Sequence, residues 1–115
     1  MKILITGSAG FIGFSLAKKI LKNKNNIVYG IDNLSGDKKL KILRNNILKK
    51  NKNYFFKKID ITNKKKILTL KKYNIKYILH LAASAGVRNS IKNPNVYFEN
   101  NLNGFYNILE LSKIS

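Results

Sequence analysis

Hydrophobic residues in this chain fall in short blocks between lysine- and asparagine-rich stretches, and the blocks alternate between strand-like and helix-like spacing. Lys2-Ile-Leu-Ile-Thr6 is a β-branched apolar run closed by Gly7, the pattern of a buried strand. Beyond a glycine-rich turn, Ile12, Leu16, Ala17, Ile20 and Leu21 share one helical stripe. A polar break, Lys22 to Asn26, precedes a second strand, Ile27-Val-Tyr-Gly-Ile31, which ends at Asp32. Leu40, Leu43 and Ile47, at spacings of three and four, predict a second helix. Tyr54-Phe-Phe-Lys-Lys-Ile59 reads as a third strand ending at Asp60, and Thr62 is placed to cap a lysine-rich helix running to Tyr73. Lys76-Tyr-Ile-Leu-His-Leu81 is the fourth strand. Asn93-Pro94 then opens a helix, as N-cap and first-turn proline, that extends to Lys113 with Tyr97, Phe105 and Ile108 on its buried side.

Strands alternating with helices imply a parallel sheet with right-handed crossovers. No linker or internal repeat interrupts the order, so residues 1–115 are expected to form one domain or part of one. The expected class is α/β, a doubly wound parallel sheet, incomplete, with about four strands and four helices.

Charge changes this picture less than its size suggests. The chain carries 23 basic residues against 5 acidic ones, a net charge of +18. Such a balance raises nucleic acid or an anionic membrane as a partner. However, 21 of the 23 are lysines spread over most helix faces and loops, and asparagine (17) and isoleucine (16) are overused alongside. All three residues share adenine- and thymine-rich codons, so base composition explains the excess better than a selected nucleic-acid surface does. Cysteine is absent, which excludes disulfides, thiolate metal sites and a cysteine nucleophile. One histidine and five scattered acids give no metal-ligand cluster. No charged-then-apolar leader is present and no apolar run approaches the ~20 residues of a membrane span, so the expected location is the cytoplasm.

Candidate chemistry concentrates in Gly7-Ser-Ala-Gly10-Phe-Ile-Gly13, which follows the first strand and opens an amphipathic helix. Here a loop must turn tightly, admit a pyrophosphate against its backbone, and aim free helix N–H groups at negative charge. Asp32 ends the second strand near the spacing of about 20 residues expected of a ribose-binding acid. A carboxylate there accepts from both ribose hydroxyls and repels a 2′-phosphate, which favours NAD over NADP. Lys38 and Lys39 lie close enough in sequence to temper that preference.

In these residues the chain resembles the extended short-chain dehydrogenase/reductase family, specifically its NAD-dependent epimerase/dehydratase group, with a Rossmann-like fold. Thr6-Gly-Ser-Ala-Gly-Phe-Ile-Gly13, Asp32-Asn33, Asp60-Ile61, His80-Leu-Ala-Ala83, Asn101-Leu-Asn-Gly104 and Asn107-Ile-Leu-Glu110 carry the resemblance. It implies NAD as cofactor and a cofactor-binding set of Gly7, Gly10, Phe11, Ile12, Gly13, Asp32, Asn33, Asp60, Ile61, Leu81, Ala82, Ala83 and Asn101. Asp60 and Ile61 would border the adenine, Leu81 to Ala83 would line the phosphates and nicotinamide ribose, and Asn101 would support the site from the fourth helix. Ala85-Gly-Val-Arg88 after His-Leu-Ala-Ala is similar to the uronate branch of the sugar-nucleotide 4-epimerases, whose usual substrate is UDP-glucuronate. Arg88, one of only two arginines, is the candidate for a substrate phosphate or carboxylate. His80 reads as a packed, hydrogen-bonded strand residue and not as an acid or base.

The family's proton-transfer pair is a tyrosine four residues before a lysine on a later helix. Tyr54 and Lys58 match that spacing, but they lie on the predicted third strand, where four residues span ~13 Å, so the match is rejected. No catalytic residue is therefore assigned. The resemblance implies the N-terminal part of an enzyme whose substrate is a nucleotide sugar, inactive by itself, with the fourth strand left as an edge for a second polypeptide or second copy to cover. A 4,6-dehydratase portion or a non-catalytic NAD-binding module remain the alternatives.

Overall fold

A computed structural model describes residues 1–82, 95 and 99–114. β1 (Lys2–Thr6) is flanked by β2 (Ile27–Asp32) on one side and β4 (Tyr77–His80) on the other, and β3 (Tyr54–Lys58) lies outside β2. All three pairings are parallel, in the order β3-β2-β1-β4. Register pairs Thr6 with Ile31 and with His80, and Asp32 with Lys58, so the carboxyl ends of the strands finish along one rim. The order reverses between β1 and β4. That reversal is where ligands of open α/β sheets bind.

α1 (Phe11–Leu21) and α2 (Lys38–Lys49) cover one face; α3 (Lys64–Leu68) and α4 (Gly104–Ile114) cover the other. Period-two alternation in β1 sends Ile3 and Ile5 to the first layer, with Ala17, Leu21 and Leu48, and Leu4 to the second, with Ile67, Ile108 and Leu111. The sheet is thus doubly wound and Rossmann-like, as expected. Among the described residues β3 and β4 are its edges, and Tyr77 on β4 is about half exposed.

Several expected faces are corrected. Ala17 and Leu21 of the α1 stripe are buried, but Ile12 is 65% exposed beside the glycine turn. In α2 the expected stripe is inverted: Leu40, Leu43 and Ile47 face solvent, while Asn45 and Leu48 are buried. The cap of α3 is Asn63, whose Oδ1 accepts from the Lys66 N–H at 3.1 Å; Thr62 instead donates to Asp60. Its helix tightens into a 3-10 turn over Thr69–Tyr73 that stops at Asn74, which takes the left-handed conformation. In α4, Gly104, Asn107, Ile108 and Leu111 face inward. Phe105, expected inside, is 44% exposed, because Gly104 and Asn107 turn toward Ile61. The glycine leaves room for the Ile61 side chain and Asn107 Nδ2 donates to its carbonyl at 2.8 Å. A π-helical turn, Glu99–Asn103, precedes α4; Asn93, Pro94 and Tyr97 lie outside the described residues.

Candidate functional site

The turn between β1 and α1 is built by backbone. Gly7 holds φ +73°, and its N–H donates to the Ile31 carbonyl at 2.8 Å, tying the turn to the end of β2. A Cβ on Gly7 would stand 2.8 Å from the Ala82 amide nitrogen, so the turn also lies against the chain leaving β4. A Cβ on Gly13 would run into the Gly7 carbonyl, which fixes glycine at both ends of the turn. Gly10 differs. Among the described residues a Cβ there would meet only the Gly7 carbonyl oxygen, at 3.3 Å, so the outer side of the turn is open. Gly10 is also the N-cap of α1 and supplies no side-chain cap. First-turn amides have no carbonyl one turn earlier to bond. They therefore remain donors at the positive end of a helix, the arrangement that binds phosphate.

Asp32 stands next to this turn with only 4% of its surface exposed. Its Oδ2 accepts from the Ala9 N–H at 3.1 Å, and its Oδ1 from the Leu34 N–H at 2.7 Å and from Lys41 Nζ at 3.4 Å. A carboxylate offers about four lone-pair sites, so capacity remains for a ribose hydroxyl. Leu34 holds φ +63°, which the short bond to Asp32 stabilises. Asn33 Oδ1 accepts from the Ser35 N–H at 3.0 Å and shapes the same turn. Lys38 and Lys39 are exposed in the first turn of α2; the cation that reaches Asp32 is Lys41. An open backbone turn, helix amides and a buried carboxylate with spare acceptor capacity fit a dinucleotide.

Sequence reasoning missed the residues beneath this turn. Arg44 Nη1 donates to the Ala9 carbonyl at 3.2 Å, and its guanidinium lies 5.9 Å from the centroid of the Phe11 ring. Tyr54 Oη lies 3.0 Å from Ser8 Oγ and 3.2 Å from Asn45 Oδ1, all of it buried. Two signals were available: Arg44 is the chain's other arginine, and positions 41, 44, 45 and 48 share one helical face. Burial pushes the Tyr54 phenol up to about 12, the reverse of what a proton-transferring tyrosine needs. Lys58 is exposed on the same strand, which agrees with rejecting the pair.

At the β4 end, Thr6 Oγ1 accepts from the Leu81 N–H at 2.9 Å and the Ala82 N–H at 3.0 Å, and lies 2.7 Å from His80 Nδ1. A hydroxyl has two acceptor sites and one proton. With both sites taken by amides, the proton goes to Nδ1, so His80 is neutral with its own proton on Nε2. Burial pushes the imidazole pKa down, in the same direction, and the ring stacks on Phe105 at 5.6 Å. His80 is a joint between β1 and β4.

The remaining expected positions are less closely gathered. Asp60 is exposed and its Oδ1 accepts from the Thr62 N–H at 2.9 Å and the Thr62 hydroxyl at 2.7 Å. Ile61 puts its side chain into the α3–α4 core. Asn101 lies in the π-helical turn before α4. Ala83 and Arg88 lie outside the described residues. Among the described residues no group of three His, Cys, Asp or Glu side chains could hold a metal ion, and no helix is long and apolar enough to cross a membrane.

A family profile described as GDP-mannose 4,6 dehydratase matches residues 4–115. The chain belongs to this family. UDP-glucuronate 4-epimerase of Thermodesulfobacterium geofontis is 47% identical over 113 residues, covering 96% of this chain and 35% of that protein. The dTDP-glucose 4,6-dehydratase of Salmonella typhimurium is 36% identical over 114 residues, covering 98% of this chain and 31% of that protein. Among solved structures, Bacillus cereus UDP-glucuronic acid 4-epimerase, in complex with UDP-glucuronic acid and NAD, superposes with a TM-score of 0.90 at 39% identity. That match covers 98% of this chain and 36% of the epimerase. The chain therefore spans about a third of the length of the relatives it matches.

Proposed function

We propose that residues 1–115 form the NAD-binding domain portion of a nucleotide-sugar 4-epimerase of the UDP-glucuronate type. The observation that carries this reading is the open turn at Gly10, set on the amides of α1 beside buried Asp32. The pyrophosphate would lie on Gly10, Phe11, Ile12 and Gly13, and Asp32 would accept from the adenosine ribose. Exposure of the Phe11 and Ile12 side chains beside the turn is explained if a bound cofactor covers them. Bound NAD supplies a hydride acceptor that can return what it takes. Leu81 and Ala82, held by Thr6, would flank the cofactor where β4 ends.

Similarity to UDP-glucuronate 4-epimerases in both sequence and structure supports the substrate class of the whole enzyme, with Arg88 as its candidate anion contact. A 4,6-dehydratase is the second reading, favoured by the family profile and the Salmonella relative. In either case the 115 residues are proposed to bind cofactor in the cytoplasm without turning over substrate. Their single Tyr-x-x-x-Lys match has its tyrosine buried under the turn.

Calorimetric titration with NAD and NADP tests the reading. Wild type is expected to bind NAD more tightly than NADP. Gly10→Val, which fills the open side of the turn, abolishes binding, and Asp32→Arg reverses or removes the preference. A folded wild-type chain that binds neither dinucleotide overturns it.

A further inference from the structure

We infer that α2 is a clamp on the cofactor turn, with Lys41, Arg44 and Asn45 as positioning residues that set Asp32, Ala9 and Ser8; the inference rests on the NAD-binding reading above. These three share one helical face, and each is tied to a different part of the turn. Lys41 reaches Asp32 Oδ1 at 3.4 Å. Arg44, half-buried, donates to the Ala9 carbonyl at 3.2 Å, the carbonyl belonging to the residue whose N–H already bonds Asp32. Asn45 reaches Ser8 through Tyr54.

Proton accounting fixes the direction of that last chain. One phenolic proton cannot serve two acceptors, and an amide oxygen only accepts. Tyr54 therefore donates to Asn45, and the Ser8 hydroxyl donates to Tyr54, which orients the serine at the base of the turn. Gly30 makes room for this junction: a Cβ there would collide with Tyr54 Oη and come within 2.6 Å of Ser8 Oγ.

The orientation of the helix points the same way. Rotating α2 about its axis would bury Leu40, Leu43 and Ile47 in exchange for Asn45 and Leu48, a net gain of apolar burial. Instead the helix exposes four large aliphatic side chains, Leu40, Ile42, Leu43 and Ile47, and buries an amide, which costs free energy unless the amide is hydrogen-bonded. Its contacts to the turn compensate for this. The turn, in exchange, receives a rigid support: none of its own side chains except Ser8 is long or polar enough to hold it.

The test uses the 115-residue chain and three single variants, Tyr54→Phe, Arg44→Gln and the outward control Leu43→Ala. Amide hydrogen exchange of Ser8, Ala9 and Gly10 is read beside that of Ile3 to Ile5 in β1, and NAD affinity is measured on the same samples. Tyr54→Phe and Arg44→Gln are expected to speed exchange in the turn about tenfold, leave β1 unchanged, and weaken NAD binding by about threefold to tenfold. Leu43→Ala changes neither. Adding Ser8→Ala to Tyr54→Phe is expected to weaken binding no further, since the two share one hydrogen bond. Turn amides that exchange at wild-type rates in both variants overturn the clamp, whether or not NAD binds. A lowered unfolding temperature with unchanged NAD affinity overturns it too, because the network would then serve stability alone. A wild type that binds no NAD refutes the cofactor reading, and the exchange rates still decide the clamp.

Discussion

α1 and α2 lie side by side on one face of the same sheet, yet they bury opposite kinds of side chain. α1 sets Gly13 against the Gly7 carbonyl and packs Ala17 and Leu21, one turn apart, with Ile3, Ile5 and Val28. α2 presents Lys41, Arg44, Asn45 and Leu48, and leaves Leu40, Leu43 and Ile47 in water. The difference follows from what each helix meets. Under α1 are aliphatic strand residues, which offer nothing to a polar group. Near the start of α2 is a turn whose surface consists of carbonyls, amides and a carboxylate, and only donors and acceptors can satisfy it. A helix's inner face is chosen by its neighbour, and maximal apolar burial is the usual result only because most neighbours are apolar.

The largest test of this contrast stays within α2. Leu48→Ala, in the core, is expected to cost about 3 kcal/mol, whereas Leu43→Ala, 57% exposed, should stay within about 0.5 kcal/mol. Equal losses in denaturant unfolding would mean that the inverted face is not the one present in solution.

Next comes alkaline pH. The folded chain holds the Tyr54 proton to about pH 12, against 10.0 for a free phenol, so this group's stabilisation is complete below pH 10 and is lost as pH rises toward 12. The loss is bounded at roughly 2 to 3 kcal/mol. Unfolding of wild type and Tyr54→Phe compared at about pH 8 and about pH 11 isolates it; a wild type no more alkali-sensitive than the variant would contradict the buried phenol. The phenol's polar contacts are to Ser8 and Asn45, so the α2 support is expected to loosen first. The smallest effect is at the point where the helices are linked. Phe11→Ala removes the ring beside Arg44 and should lower stability of the unliganded chain by about 0.5 kcal/mol, measured by thermal unfolding. A loss several times larger would mean the exposed ring does more than cover the guanidinium.

The succession of strands and helices, the parallel pairing and the glycine turn were legible in the sequence, because short apolar runs ending in glycine or aspartate have few other readings; the sheet order β3-β2-β1-β4 was not. Helix faces were less so, and the errors share a cause. Asn45 and Asn107 fall outside the apolar stripes expected of their helices, yet each is buried with a hydrogen bond, to Tyr54 and to the Ile61 carbonyl. Periodicity cannot weigh a polar side chain whose partner is distant in sequence. The same limit hid the clamp: Arg44 and Ala9 are separated by 35 positions and Tyr54 and Ser8 by 46, and no local pattern connects them. Of the expected cofactor set, the residues from Gly7 to Gly13 converge with Asp32 because they are close in the chain or at adjacent strand ends. Asp60 spends one oxygen on its own turn, and Ile61 puts its side chain in the core.

The joint at His80 gives the molecule a reporter of its own. This is the only histidine in the chain, so its ring nitrogens yield one pair of resonances in a nitrogen-15 spectrum, with no assignment to dispute. With Nδ1 accepting from Thr6, the two nitrogens should be widely separated in chemical shift, the mark of a single fixed tautomer. If β1 and β4 part at that rim, the imidazole becomes free to exchange its proton and the two lines move together. A dinucleotide entering beside Gly7 would be registered as a shift in those two lines, without any label attached to the ligand.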